Sequence, residues 1–324
     1  MNPILIVALV VAGLAVATVL TCYFTARYFF RFTILRKPTA TLDKNINANT
    51  DWNKHLDFIK ERKAWLFEQE LEKVSIKSDD GLKLCGTLVK SKTAKNCVIC
   101  FHGYTSNGIN NFGAMTKFYI ENDFNVIMVD ERAHGESEGK YIGFGVLDRH
   151  DALKWIEFAK KTFGDNVNIF LHGVSMGGST VLMTSGLKLP KNVKAIIADC
   201  AFTSAYDVFS HILKRDYHIP KFPIMNMTEK MTKKYAGYGY NDVSTLRETA
   251  KTNVPILFIH GDKDDFVPTW MSEKNYEACA SEKELLIIKG ADHAEAYYVG
   301  RDAYDKAFNK YIEKYAILYK GDLL

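Results

Sequence analysis

Residues 172–180, His-Gly-Val-Ser-Met-Gly-Gly-Ser-Thr, decide how this chain is read. The stretch follows the apolar run 167–171, VNIFL, and leads into a helix-like segment, 176–187. A serine between Gly173 and Gly177, after a strand and before a helix, fits a tight turn that lifts a nucleophilic hydroxyl above a sheet edge. Glycines let the backbone turn there without Cβ clashes. The helix that follows aims its first backbone N–H groups at the same spot. A glycine-rich turn without chemistry has the same letters, so the rest of the chain must supply a base and an acid.

Working outward, strands alternate with helices. KVSIKSDDGLKLCGTLVKS (73–91) reads as two alternating strands around the turn Asp79-Asp80-Gly81. Buried strands are predicted at 97–101 and 125–130, and further strands at 167–173, 193–200, 254–261 and 284–290. Helices are predicted at 111–120, 145–164, 175–187, from Pro268 onward, and at 301–319. Continuous Val/Ile/Leu strands alternating with helices predict a mostly parallel sheet with helices on both faces. Roughly fifty residues between Cys200 and Val254 break the rhythm. They are rich in Tyr, Phe, Met and Ile, and are expected to form a helical lid insertion, 201–252, over the C-terminal strand ends, where such sheets bind ligands.

Ser175 needs a base. His293, in GADHAEAY after the last strand, is the candidate, because it alone follows both the serine and a suitable acid. His55, His150, His211 and His218 fall on helices or in the insertion and are expected at the surface or in packing. His172 and His260 end strands before a glycine and read as structural. His102 and His134 stand in loops at strand ends, where they would line a site. The acid comes from HGDKDDFVP, which offers Asp262, Asp264 and Asp265 between a strand and a helix. The order serine, aspartate, histidine is that of one hydrolase fold.

Five motifs carry a resemblance: FHGYTSNG (101–108), DERAHGESEG (130–139), GVSMGG (173–178), HGDKDDFVP (260–268) and GADHAEAY (290–297). From about Lys73 to Tyr319 the chain resembles α/β-hydrolase fold serine hydrolases. It is similar to the bacterial membrane-anchored members described as serine-aminopeptidase-like or lysophospholipase-like. The resemblance implies a Ser175–His293–Asp264 triad, since the family pattern H-G-x-x-D-x-x-V-P puts the acid at Asp264, with Asp265 as the fallback. It implies an oxyanion hole from the backbone N–H groups of Met176 and Tyr104, with the Tyr104 ring shaping the acyl pocket. The loop 130–139 resembles the family's D-x-R-G-H-G-x-S segment, with Ala133 in place of one glycine, and is expected to be structural.

The N-terminus reads as separate from this domain. Residues 4–24 carry no charge and are long enough to cross a bilayer, which takes roughly 20 residues. A secretory signal needs a basic start, and no Lys or Arg precedes this run. Arg27, Arg31, Arg36 and Lys37 follow it, with Tyr28, Phe29, Phe30 and Phe32 among them, which favours a retained helix with the domain on the cytoplasmic side. The expected organisation is an anchor at 1–37, a linker and helix at 38–70, and an α/β-hydrolase domain at 71–324. Residues 38–49 read as a polar tether. A helix capped by Thr50 or Asp51 is expected to pack on the domain or shield its membrane-facing side.

Composition narrows the partners. The 324 residues are 47% hydrophobic and 25% charged, with net charge +4 and no Lys/Arg block, so no nucleic-acid footprint is present. Six cysteines are scattered, and Cys97 and Cys100 would point to opposite faces of one strand. No phosphate-binding glycine fingerprint or zinc-ligand cluster stands out, so the reading calls for no cofactor and no metal. The expected partners are a small-molecule or lipid-like ester substrate and the membrane, and the expected activity is cleavage of hydrophobic acyl esters. A peptidase, an acyltransferase and a non-catalytic membrane protein of the same fold are the alternatives. Oligomeric state is not encoded in these patterns.

Overall fold

Apolar runs rich in Val, Ile and Leu become the inner strands of one eight-stranded sheet. A computed structural model describes residues 2–39 and 50–316. Helix α1 (Pro3–Ile34) is followed, past the tether 40–49 that lies outside the described residues, by a 3-10 turn (Trp52–His55) and α2 (Leu56–Phe67). Strands β1 (Leu71–Lys77) and β2 (Lys83–Val89) form an antiparallel pair around the expected turn. Then come β3 (Asn96–Phe101), α3 (Gly108–Phe112), α4 (Thr116–Glu121) and β4 (Phe124–Val129). Two short helices thus stand where one was expected at 111–120. The central run continues with α5 (Asp148–Phe163), β5 (Asn168–Val174), α6 (Met176–Ser185) and β6 (Val193–Asp199).

The insertion folds as α7 (Ala205–Tyr217), α8 (Lys221–Ala236) and α9 (Thr245–Thr249). The chain ends with β7 (Ile256–Gly261), α10 (Trp270–Ala278), β8 (Lys283–Ile288), α11 (Ala296–Val299) and α12 (Arg301–Ala316). The expected end of the last helix, 317–319, lies outside the described residues. Strand order is β1-β2-β4-β3-β5-β6-β7-β8, with β2 antiparallel to both neighbours and β4 through β8 parallel. This is the α/β-hydrolase fold.

The inner strands are buried on both faces, as continuous apolar runs require, whereas the edge strands β1 and β8 are only partly covered. One layer packs Val98, Cys100, Val126 and Phe170 against Phe118, Tyr304 and Phe308. The other packs Cys97, Ile99 and Leu171 against Trp155, Ile156 and Leu182. Cys97 and Cys100 therefore lie in different layers, and all six cysteines are free thiols. A third apolar cluster sits over the strand ends. It joins Met176 and Phe144 to Val208 and Leu213 of α7 and Ile224 and Met225 of α8.

That third cluster also contains Ala26, Phe29, Phe30 and Ile34 of α1, which corrects the expectation of a detached N-terminus. The helix continues about ten residues past the uncharged run. Its last turns dock on α8, where the Phe30 and Tyr235 rings lie 5.6 Å apart. The Ile142 N–H donates to the Ile34 carbonyl (2.8 Å), and the Arg36 guanidinium donates to the carbonyls of Gly135 (2.6 Å) and Ser137. The reason is the face these turns present: Ala26, Phe29, Phe30 and Ile34 recur at helical spacing and are buried, while Arg27 and Arg31 stay exposed. Its earlier part, by contrast, is exposed throughout and is long and apolar enough to cross a membrane.

Helix α2 is likewise part of the body, with Leu66 and Ile59 buried. Asp51 caps the preceding turn by accepting from the Asn53 N–H (3.1 Å).

Candidate active site

Ser175 is the N-cap of α6 and holds φ 56°, ψ −113°, a conformation that a side-chain-bearing residue adopts only under constraint. The constraint is close packing on both sides. A Cβ on Gly173 would overlap the Gly177 carbonyl, and one on Gly177 would overlap the Phe101 carbonyl at the end of β3. The Ser175 N–H donates to the Asp199 carbonyl (2.8 Å), tying the turn to β6. Met176 begins α6, so its N–H is one of the helix-end donors without an intrahelical acceptor.

His293 lies between β8 and α11. Its Nε2 is 2.9 Å from Ser175 Oγ, and its Nδ1 is 2.7 Å from Asp264 Oδ2. All three residues are buried. Asp264 Oδ1 accepts from the N–H groups of Phe266 (3.0 Å) and Val267 (2.8 Å), which fix the carboxylate plane. Burial by itself would raise the Asp264 pKa, but the His293 and His260 imidazoles outweigh it and hold the carboxyl well below the usual carboxylate range. Burial would lower the His293 pKa, but the Asp264 charge and hydrogen bond outweigh that and raise it above the ordinary imidazole value. This arrangement can accept the Ser175 proton and stabilise the resulting imidazolium.

His260 was expected to be structural, and it acts on the acid. Its Nε2 is 2.7 Å from the Val267 carbonyl and 3.0 Å from Asp264 Oδ2, while its Nδ1 is 2.6 Å from Ser272 Oγ. With Ser272 donating to Nδ1, Nε2 carries the proton and donates towards both oxygens. The signal was present in the H-G-x-x-D spacing, which puts a strand-end histidine four residues before the acid. Asp265 turns outward to Arg215 (3.1 Å), and Asp262 accepts from the Gly290 N–H (2.6 Å).

The loop 102–108 brings Gly103 beside Ser175, where a Cβ would come 3.5 Å from the serine Cβ. Tyr104 follows, and its ring lines a cavity of about 130 Å³ that opens on Ser175. Phe144, Phe209, Leu213 and Met225 form other walls, and Phe29, Phe32 and Thr33 of α1 complete them. The Tyr104 hydroxyl donates to the Phe32 carbonyl (2.9 Å). Phe29 and Phe32 were expected at the membrane interface, although exposed Arg27 and Arg31, one turn apart, mark the outward face of these turns.

Three further histidines fasten the scaffold. His102 and His134 do not line the cavity: His102 Nε2 accepts from the Glu131 N–H (3.0 Å), and His134 Nε2 accepts from the Thr105 N–H (3.2 Å). Burial lowers the pKa of both, so both stay neutral acceptors. His172 sits beneath the sheet edge between the hydroxyls of Tyr119 and Tyr304. The loop 130–139 is pinned by Arg132, which holds Asp151 through Nε (2.7 Å) and Nη2 (2.8 Å). Ala133 takes φ 60°, the left-handed region that suits the glycine it replaces.

Cys200, Asp264 and His293 present donor atoms within 4.8 Å of one another. Burial pushes the Cys200 thiol well up, and the neighbouring Asp199 and Asp264 charges add to it. A cation there would draw His293 and Asp264 out of their mutual hydrogen bond.

Fold and site together define a hydrolase of the α/β-hydrolase fold. Residues 110–316, more than half of the chain, match Peptidase_S9, the prolyl oligopeptidase family. The chain belongs to that family. The uncharacterized protein YqkD of Bacillus subtilis is 31% identical over 249 residues, which cover 76% of this chain and 81% of YqkD. Among solved structures, the Pyrococcus furiosus esterase Pf2001 superposes with a TM-score of 0.65 at 20% identity, over 87% of this chain and 98% of the esterase. The Pyrococcus horikoshii acylaminoacyl peptidase gives 0.59 at 19% identity, over 82% of this chain and 43% of the peptidase. At these identities the structures show a shared fold.

Proposed function

We propose that this chain is a membrane-anchored serine hydrolase that cleaves carboxylic esters with a hydrophobic acyl portion. Ser175 is the nucleophile, His293 the general base and then acid, and Asp264 orients and stabilises the imidazolium. The Met176 and Tyr104 N–H groups donate to the oxyanion. The Ser175 hydroxyl attacks the carbonyl carbon while its proton passes to His293 Nε2. The ester C–O bond then breaks, and the alcohol leaves with that proton. Water attacks the acyl-serine by the same route, releasing a carboxylic acid and restoring the serine.

The observation that carries this reading is the 2.9 Å approach of His293 Nε2 to a Ser175 hydroxyl facing an apolar cavity. The family's name and the peptidase neighbour raise peptide cleavage as a rival. Release of N-terminal residues calls for an acid that receives an amine. The one acid lining the cavity, Asp216, is already paired with Arg215 at 2.5 Å.

The uncleaved, single-pass placement of α1 belongs to the same reading. Arg27 and Arg31 at its C-terminal end favour a cytoplasmic catalytic domain.

The test is hydrolysis of p-nitrophenyl esters of increasing acyl length by the full chain and by Ser175→Ala. The expected outcome is turnover by the wild type and a drop of about 10⁴-fold or more in the variant. Turnover of peptide p-nitroanilides but not esters would favour the peptidase. Equal rates in both forms would remove Ser175 from the mechanism.

A further inference from the structure

We propose that the C-terminal turns of α1 are the substrate-selecting wall of the Ser175 cavity, and that the ester is a membrane amphiphile whose acyl chain enters from the bilayer along this helix. The inference rests on the serine hydrolase reading above and names the source and shape of its substrate.

Three observations carry it. The first is continuity along α1. A hydrocarbon core spanned by about 20 residues from Ile4 ends near Tyr23. Phe24 is 62% exposed, while Phe29, only five residues on, is 9% exposed and lines the cavity. At about 1.5 Å per residue those positions lie some ~7.5 Å apart along the axis. Phe24 and Phe29 point to different sides of the helix, but Cys22, seven residues before Phe29 and on its face, already packs against the same apolar cluster, so the span runs into the cavity wall within two turns.

The second is the direction of α8. Thr228 Oγ1 donates to the Ala26 carbonyl (3.5 Å), and Tyr235 meets Phe30 (5.6 Å). Both residue numbers rise together, so α8 runs alongside α1 in the same sense. Its N-terminal end, where Phe222 leaves the helical conformation (φ −93°, ψ 135°) and is 72% exposed, lies on the side of Thr228 that leads towards the lipid-facing end of α1.

The third is the rim. Tyr217, at the end of α7, lines the cavity, is 38% exposed, and packs edge-on against Phe29 at 4.8 Å. Exposed Tyr28 and Tyr217 thus flank Phe29 just past the level where the hydrocarbon core would end. Aromatic side chains favour that interface. A chain leaving the bilayer there exchanges lipid for Phe29 and Phe32 without crossing water.

The experiment uses the full chain in vesicles of ether-linked phosphatidylcholine, which offer no competing ester. Phe32→Ala should widen the wall and Thr33→Phe should narrow it. The ratio of long-chain to short-chain kcat/KM should rise about tenfold in the first and fall about tenfold in the second. Phe24→Ala, on the lipid-facing side, should leave the ratio unchanged. Labelling of Ser175 by a fluorophosphonate reports that each variant is folded.

A second arm needs no variant. p-Nitrophenyl stearate, held in lipid by its long chain, should react about tenfold or more faster in the enzyme's own vesicles than in separate ones. Unchanged chain-length ratios in both wall variants, with Ser175 still labelled, would overturn the wall. Equal rates from shared and separate vesicles would overturn delivery from the bilayer. A wild-type chain that neither labels nor cleaves any ester would instead remove the serine hydrolase reading, and this inference with it.

Discussion

The imidazole of His293 is buried, yet Asp264 keeps its pKa above the ordinary imidazole value. Catalysis as a base requires the neutral ring. Activity should therefore rise with pH through that raised value, with an acid limb above about 6.5. In Asp264→Asn, burial acts without the compensating charge, so the acid limb should move to lower pH. Maximal turnover should fall about 10⁴-fold in the same variant. A pH profile of kcat/KM for both proteins checks the direction, and a limb that stays in place would mean that Asp264 does not act on His293. Linkage has the opposite sign for the acid itself. The depressed Asp264 contributes stability fully above about pH 4, and loses it only as pH falls through its lower folded value.

Among the connecting elements, the loop 130–139 is held by charge. Arg132 and Asp151 are both about 6% exposed at their side chains, and the guanidinium also reaches the more exposed Asp80 at 3.0 Å. Removing one partner leaves a buried carboxylate uncompensated. Arg132→Met should destabilise the chain by about 3–5 kcal/mol, and adding Asp151→Leu should recover much of that loss. Urea unfolding of the two variants in one detergent decides it. If the double variant is no better than the single, Asp151 is not the group left unsatisfied. The loop matters for the site because Glu131 and His134 anchor the segment that carries Tyr104.

At the scale of the molecule, α1 is at once a candidate membrane span and a packed helix. Deleting residues 1–38 strips Phe29, Phe30 and Ile34 from the third core, each worth roughly 1.5–3 kcal/mol of burial. The truncated domain should melt at a clearly lower temperature than the full chain in the same detergent. An equal melting temperature would show that α1 is dispensable to the core. The proposal that α1 is a retained anchor makes a separate expectation: the chain at its full mass should stay in the membrane pellet after high salt and alkaline washing. Recovery of a shortened, soluble chain would identify 4–24 as a signal sequence.

Much of the site could be read directly from the sequence because its constraints are local. Ser175 is marked by the glycines its backbone needs, and the chain order of serine, acid and histidine is written in the sequence. The strands announce themselves as uninterrupted apolar runs. Other features were set by contacts between residues far apart in the chain. The outward turn of Asp265, the bond from His260 to Asp264 and the crossing of β3 past β4 each depend on such packing. So does the placement of Phe29 and Phe32 beside Ser175. The docking turns set apolar Ala26, Phe29, Phe30 and Ile34 against Arg27 and Arg31, but that pattern does not say whether the apolar face meets lipid or protein. Sequence alone therefore determined the fold class, the serine and its candidate partners. Only tertiary packing made the end of α1 a wall of the cavity, because that wall exists only where segments far apart in the chain meet.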